Sequence, residues 1–139
     1  MSTASVIYTG NLRTTATHLK SGNEIITDAP VDNQGKGEAF SPSDLMATSL
    51  LSCMMTIIGI LANRKLWDLT GMKGNVQKHM ADQPRKVSKI EIALHIPDRN
   101  WSEADKKMIE QAAMTCPVAL SLHPDIIQII NIEYFTVFD

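Results

Sequence analysis

Residues 40–61 read FSPSDLMATSLLSCMMTIIGIL, and this stretch decides the fold. Its opening, Ser41-Pro42-Ser43-Asp44, is a helix start. Ser41 can cap, Pro42 suits the first helical position, and Asp44 stands where a capping box places its acid. The helix is expected to run to about Leu61 or Arg64. It is apolar on most sides, through Leu45, Met46, Leu50, Leu51, Met54, Met55, Ile57, Ile58, Ile60 and Leu61. Such a helix is expected to be buried on most sides, which is hard to achieve in so short a chain without a second copy.

Upstream, Ser5–Thr9, Leu12–Leu19 and Glu24–Asp28 are rich in Val, Ile, Tyr and Thr. Gly10-Asn11 and Ser21-Gly22-Asn23 stand between them as turns. The pattern predicts an antiparallel meander. Residues 30–37, with Asp32, Asn33 and two glycines, read as a loop. Downstream, a strand is predicted over 71–80, and a clearer one over 87–96. In the latter, Ile90, Ile92, Leu94 and Ile96 alternate with Glu91, Ala93 and His95. Ser102-Glu103-Ala104-Asp105 opens another helix, which Pro117 breaks near Cys116. A short helix over 118–122 and a final strand from Ile126 to Phe138 follow. There is no internal repeat and no linker, so a single α+β domain over 1–139 is expected.

The chain has 139 residues, 44% hydrophobic and 20% charged, which suits one globular domain with its own core. Thirteen basic and fifteen acidic residues give a net charge of −2 without a basic stripe, against nucleic-acid binding. The start shows no basic region followed by an apolar run, so no secretory signal is read. The apolar stretch from Leu45 to Ala62 is short for a membrane span and carries Thr48, Ser49, Ser52, Thr56 and Gly59. A cytoplasmic protein without a membrane partner is expected, with its two cysteines as thiols.

Those cysteines are 63 positions apart, with no Cys-x-x-Cys motif, and two are too few for a disulfide scaffold. Read alone, each packs well as a small hydrophobe. The alternative rests on surroundings. Cys116 immediately precedes Pro117, so its thiolate would face the N–H groups opening the next short helix. Cys53 lies in mid-helix and needs a basic group brought from elsewhere.

Phe40 to Ala47, Cys53 in the same helix, the later Cys116-Pro117-Val118 and the terminal strand together resemble the OsmC-type family. That family comprises the osmotically inducible and organic hydroperoxide resistance proteins, and the resemblance covers nearly the whole chain. It implies antiparallel sheets around a long buried central helix, in an intertwined homodimer with active sites at the subunit interface. It further implies a peroxidatic cysteine matching Cys53 and a resolving cysteine matching Cys116, reducing organic hydroperoxides. An external dithiol returns the pair to thiols, and neither metal nor flavin is required.

The family also sets an arginine beside the reactive cysteine. By position that role falls to Arg13, the one arginine before Cys53. Lys36 is a poorer substitute for a guanidinium fork, and His18 a weaker candidate. The family's acid follows the helix-start proline directly, where this chain has Ser43. Asp44 is one place later, nine residues before Cys53. That is about 900° of rotation and ~13.5 Å of rise, on nearly the opposite face. Asp44 therefore reads as a cap, and Glu38 is the alternative acid. Two further readings stay open: a dimeric small-molecule-binding or redox-sensing protein of the same fold, and a structural role. A metal site is weaker, since His79, His95 and His123 share no ligand spacing.

Overall fold

The computed structural model describes residues 1–137 and divides into two compact units, residues 1–46 and 47–139. The first contains β1 (Ala4–Gly10), β2 (Arg13–His18) and β3 (Glu24–Asp28), paired antiparallel in that order. This is the expected meander. The loop after β3 carries one 3-10 turn, Val31–Asn33. Its chain folds back tightly, with the Gly35 and Gly37 N–H groups bonding to the carbonyls of Pro30 and Ala29. Gly37 has φ +62°, and a Cβ on Gly35 would overlap the Ala29 carbonyl.

Helix α1 (Pro42–Lys65) contains the boundary between the units. Its capping box is reciprocal: Asp44 N–H donates to Ser41 Oγ at 3.0 Å, and Ser41 N–H to Asp44 Oδ2 at 3.0 Å. The cap accounts for the place of Asp44 at the helix start.

In the second unit, β4 (Lys73–Ala81) and β5 (Lys86–Pro97) run antiparallel, while β6 (Ile127–Phe135) lies parallel to β5. The second sheet is thus mixed. A parallel return needs a long crossover, and α2 (Glu103–Met114) and α3 (Pro117–Ser121) supply it. The final strand was expected to reach Phe138, which lies outside the described residues.

Helix α1 packs closely on this sheet at Gly74. A Cβ there would stand 2.9 Å from Leu51 Cδ1 and 3.0 Å from the Ala93 carbonyl oxygen. Its buried residues are Ala47, Leu50, Leu51, Met54, Ile58, Leu61 and Ala62. Their spacing marks a single stripe, one face of a helix. Ser49, Ser52, Thr56 and Ile60 are exposed, so burial on most sides is not met within one chain. The chain offers α1 one apolar sheet face, and that face covers one side. At 24 residues, with an 18-residue window of mean hydropathy 2.1, α1 is also long and apolar enough to cross a membrane by length and composition, which corrects the expectation that it is too short. Core helices of soluble proteins pass the same test.

The core of the second unit joins that stripe to Ile90, Ile92, Leu94 and Ile96 of β5 and to Ile109 and Ala113 of α2. Helix α2 starts as its sequence predicts, with the Asp105 N–H donating to Ser102 Oγ at 3.0 Å.

Candidate functional site

The two cysteines belong to the second unit, and the fold brings them together. Cys53 sits in mid-α1, partly exposed; Cys116 is fully buried between α2 and α3. Both are free thiols, and Cys53 is a neighbour of Cys116 that bears on its thiol. Pro117 is the reason for the position of Cys116. It ends α2 by disfavouring helical geometry before it and then opens α3. Cys116 takes extended angles (φ −66°, ψ 148°) as the N-cap of α3, and its Sγ accepts the Ala119 N–H at 3.4 Å.

The N–H groups of α3 therefore do face the sulfur, as its place before Pro117 suggests. They do not win. Burial pushes the Cys116 thiol up, against the Ala119 N–H, and the neighbouring Cys53 pushes it further. Cys116 rests as a thiol.

Two shallow grooves lie along α1. One, about 410 Å³, is lined by Ile57, Leu61, Met108 and Ala112, with Arg64 and Lys107 among its walls. Ile57 stands one helical turn beyond Cys53, and Ala112 one turn before Cys116. The other, about 420 Å³, is lined by Thr48, Leu51, Ser52, Met55 and Thr56. Of the apolar residues near Cys53 that sequence offers for a pocket, Leu50 and Met54 are sealed in the core, and Met55 alone lines a groove. Met54 and Leu50 face the sheet because they fall on the buried stripe of α1.

Arg13 belongs to the first unit, where it starts β2 opposite the end of β3. Its guanidinium meets Asp28 as a fork, Nε to Oδ1 at 2.7 Å and Nη2 to Oδ2 at 2.8 Å. Nη2 also reaches Glu38 Oε2 at 3.3 Å, and the Glu38 N–H donates to Asp28 Oδ2 at 3.0 Å. Asp28 is 1% exposed. Such two-point, charge-assisted pairing fixes the plane of the guanidinium as well as its charge. The Arg13 hydrogen bonds hold the Asp28 carboxyl well below the usual range, against the cost of burying it. The same bonds raise Arg13 further above its ordinary value.

Asp28 is the residue that sequence reasoning missed. The weighed acids were Glu38 and Asp44; Glu38 is the outer partner, and Asp44 is occupied by its cap. A signal was available. Once the turn at residues 21–23 sets Thr17 opposite Glu24, four steps along each strand set Arg13 opposite Asp28. His18 Nδ1 lies 2.6 Å from Ser21 Oγ in the exposed turn, and Lys36 lies exposed on the loop. Among the described residues no three His, Cys, Asp or Glu side chains gather as metal ligands would.

The comparisons with known proteins bear on the fold and the family. No curated protein matches the chain. A crystal structure from Psychrobacter arcticus 273-4, provisionally described as an osmotic stress induced and detoxification response protein, is 55% identical. It covers 96% of each chain at a TM-score of 0.91. An organic hydroperoxide resistance protein OsmC from Legionella pneumophila shares the fold at 17% identity and a TM-score of 0.69, covering 96% of this chain and 98% of that one. An organic hydroperoxide resistance protein from Elizabethkingia anophelis, with thiocyanate bound, shares it at 14% identity and a TM-score of 0.75, covering 97% and 98%. The family model described as OsmC-like protein matches residues 35–129, more than half of the chain, a span that holds both cysteines and the helix start. The chain belongs to the OsmC-like family.

Proposed function

We propose that this protein is a thiol-dependent peroxidase that reduces organic hydroperoxides through Cys53 and Cys116. The observation that carries this reading is that two free thiols far apart in sequence become neighbours, one partly open and one sealed. The partly open Cys53 is the attacking group. Its thiolate forms a bond to the terminal oxygen of the hydroperoxide, the O–O bond breaks, and the alkoxide leaves and takes up a proton. Cys53 is then a sulfenic acid, which Cys116 condenses to a disulfide with loss of water. A dithiol reductant restores both thiols by exchange.

We assign the cation that favours the Cys53 thiolate to Arg13, on the family resemblance and on the two-point hold of Asp28. Asp28 is then a positioning residue. The groove holding Ile57, Leu61, Met108 and Ala112 offers room for an alkyl chain. We further propose that residues 1–139 act as one OsmC-like domain in a cytoplasmic homodimer. The exposed Val6, Ile7 and Ile26 of the first sheet and the uncovered side of α1 support a second copy. Light scattering at micromolar concentration that returns a monomer overturns the dimer.

The decisive experiment replaces Cys53 with Ser and follows an alkyl hydroperoxide with a dithiol reductant. Turnover is expected to vanish; survival of activity removes the assignment. The same groove, with its two cations, favours one second reading, a binding protein for an apolar anion. Slow or absent peroxide consumption, with a copurified ligand in native mass spectrometry, would favour that reading.

A further inference from the structure

The groove of about 410 Å³ between α1 and α2 lies wholly within the second unit, and it differs from end to end. Its α1 wall is Ile57, Leu61 and Arg64. Arg64 comes eleven positions after Cys53. Eleven steps turn the helix by about 1,100°, within ~20° of three full turns, so Arg64 and Cys53 share a face of α1, with Ile57 between them. Over that row the helix rises ~16.5 Å. The α2 wall runs from Lys107 through Met108 and Ala112 to Thr115, the residue before Cys116. Each wall therefore has a cation at one end and leads to a cysteine at the other.

The polarity follows the same axis. Beside Cys116 the Thr115 hydroxyl is already used, donating to the Gln111 carbonyl at 2.8 Å. The middle is aliphatic. At the far end, no acid lines the groove, and among the described residues neither Arg64 nor Lys107 forms an ion pair. Glu103, one turn before Lys107, pairs with Lys106 instead, at 3.8 Å. Arg64 also suits the carbonyl end of α1, but Lys65 meets the same need, and a helix end does not account for Lys107. Two exposed cations without an acid between them repel one another, and an anion placed there relieves both.

We propose that this groove seats an amphiphilic carboxylate, its head on Arg64 and Lys107 and its alkyl chain along Ile57, Leu61, Met108 and Ala112 toward the cysteines. Arg64 and Lys107 are then the specificity-determining residues. The groove selects hydroperoxides that carry a charged head, with the O–O group well along the tail rather than beside the head. This rests on the groove as the seat of the substrate, and it leaves the chemistry of the sulfurs unchanged.

The test is titration calorimetry on the reduced full-length protein with decanoate and decanol, the same chain with and without a charge. The parent is expected to bind decanoate about tenfold more tightly, the scale of a hydrogen bond to a charged group, with the preference shrinking as salt rises. Arg64→Gln with Lys107→Gln is expected to erase the preference. Arg64→Lys with Lys107→Arg, which keeps both charges, is expected to retain most of it. Equal affinities in the parent, or an unchanged preference in the double Gln variant, overturn the proposal. So does failure of both ligands to bind, the result if a second copy covers the groove. A second arm follows turnover of linoleic acid hydroperoxide and its methyl ester. The parent is expected to favour the free acid through KM rather than kcat, and the double Gln variant to lose that advantage. Turnover of both at equal KM overturns this inference and spares the peroxidase reading. A decanoate preference with no turnover of either supports the anionic groove and removes the peroxidase reading, so the two fail separately.

Discussion

The first unit wears its apolar side chains outside, and the second hides its own. Val6, Ile7 and Tyr8 on β1 are 62%, 65% and 64% exposed, whereas Ile90, Leu94 and Ile96 on β5 have no accessible surface. What the first unit buries instead is ionic and polar: Asp28 under its arginine fork, and Thr27, whose hydroxyl bonds to that of Thr14. In the second unit the same enclosure is largely apolar, and there it keeps the Cys116 thiol protonated. Burial disfavours the charged form in both units, and the partner decides the outcome. Where a partner with matched geometry is at hand, the buried carboxylate stays ionised; where there is none, the buried thiol stays neutral.

The sharpest way to break this contrast is to truncate both kinds of apolar residue. Leu50→Ala empties a sealed position on α1 and is expected to cost about 2–5 kcal/mol in denaturant unfolding. Ile7→Ala, at an exposed position, is expected to change the stability of one chain by under about 0.5 kcal/mol. A large loss at Ile7, dependent on protein concentration, would show that another copy covers the first sheet.

The first unit is not uniformly tolerant. Gly35→Ala drives a Cβ into the Ala29 carbonyl. Overpacking of that kind costs ~1–3 kcal/mol, visible as a lowered melting temperature. If Gly35→Ala melts with the parent, the loop after β3 is softer than its hydrogen bonds indicate.

Asp28→Asn keeps the shape of the acid and removes its charge, leaving Arg13 with Glu38 as its anionic partner among the described residues. Under the proposed mechanism, hydroperoxide turnover is expected to fall about tenfold, the scale of one hydrogen bond to a charged group. Glu38→Gln, on the outer partner, is expected to lose less. Equal losses would remove the distinction between the buried acid and the exposed one.

The smallest effect is the response of stability to pH, which separates the units by sign. Cys116 is raised by burial, and Tyr134 is pushed up to about 12 by burial and then by Glu110, Glu103 and Asp98. A raised group stabilises the fold below its unfolded value, and that contribution is lost as pH rises through the folded one. Melting temperature is therefore expected to fall from about pH 9 upward, and Tyr134→Phe should flatten the decline. Asp28 is lowered, so its contribution is present above an ordinary value of about 4 and lost in acid. Asp28→Asn should flatten only the acid limb.

The element order was legible because each element is signalled locally. Ser41-Pro42-Ser43-Asp44 caps α1, the Ile90 to Ile96 alternation makes β5, and Ser102 caps α2. The placing of β6 parallel to β5 was not legible, since strand direction is a choice among partners remote in sequence. Asp28 was hidden for a related reason. A lone acid at a strand end looks like a turn residue until the hairpin register sets an arginine opposite it.

By itself the sequence determined the helix caps, the two periodicities, and the chemical means available: two thiols, one early arginine and few metal ligands. These follow from spacings of a few residues, which the backbone converts directly into faces and ends. Only the tertiary structure decided that Cys53 and Cys116 are neighbours, that burial keeps the Cys116 thiol protonated, and that Asp28 holds Arg13. Each of those depends on what closes over a residue from distant chain, and a group's solvation and partners, rather than its neighbours in sequence, set whether it carries charge.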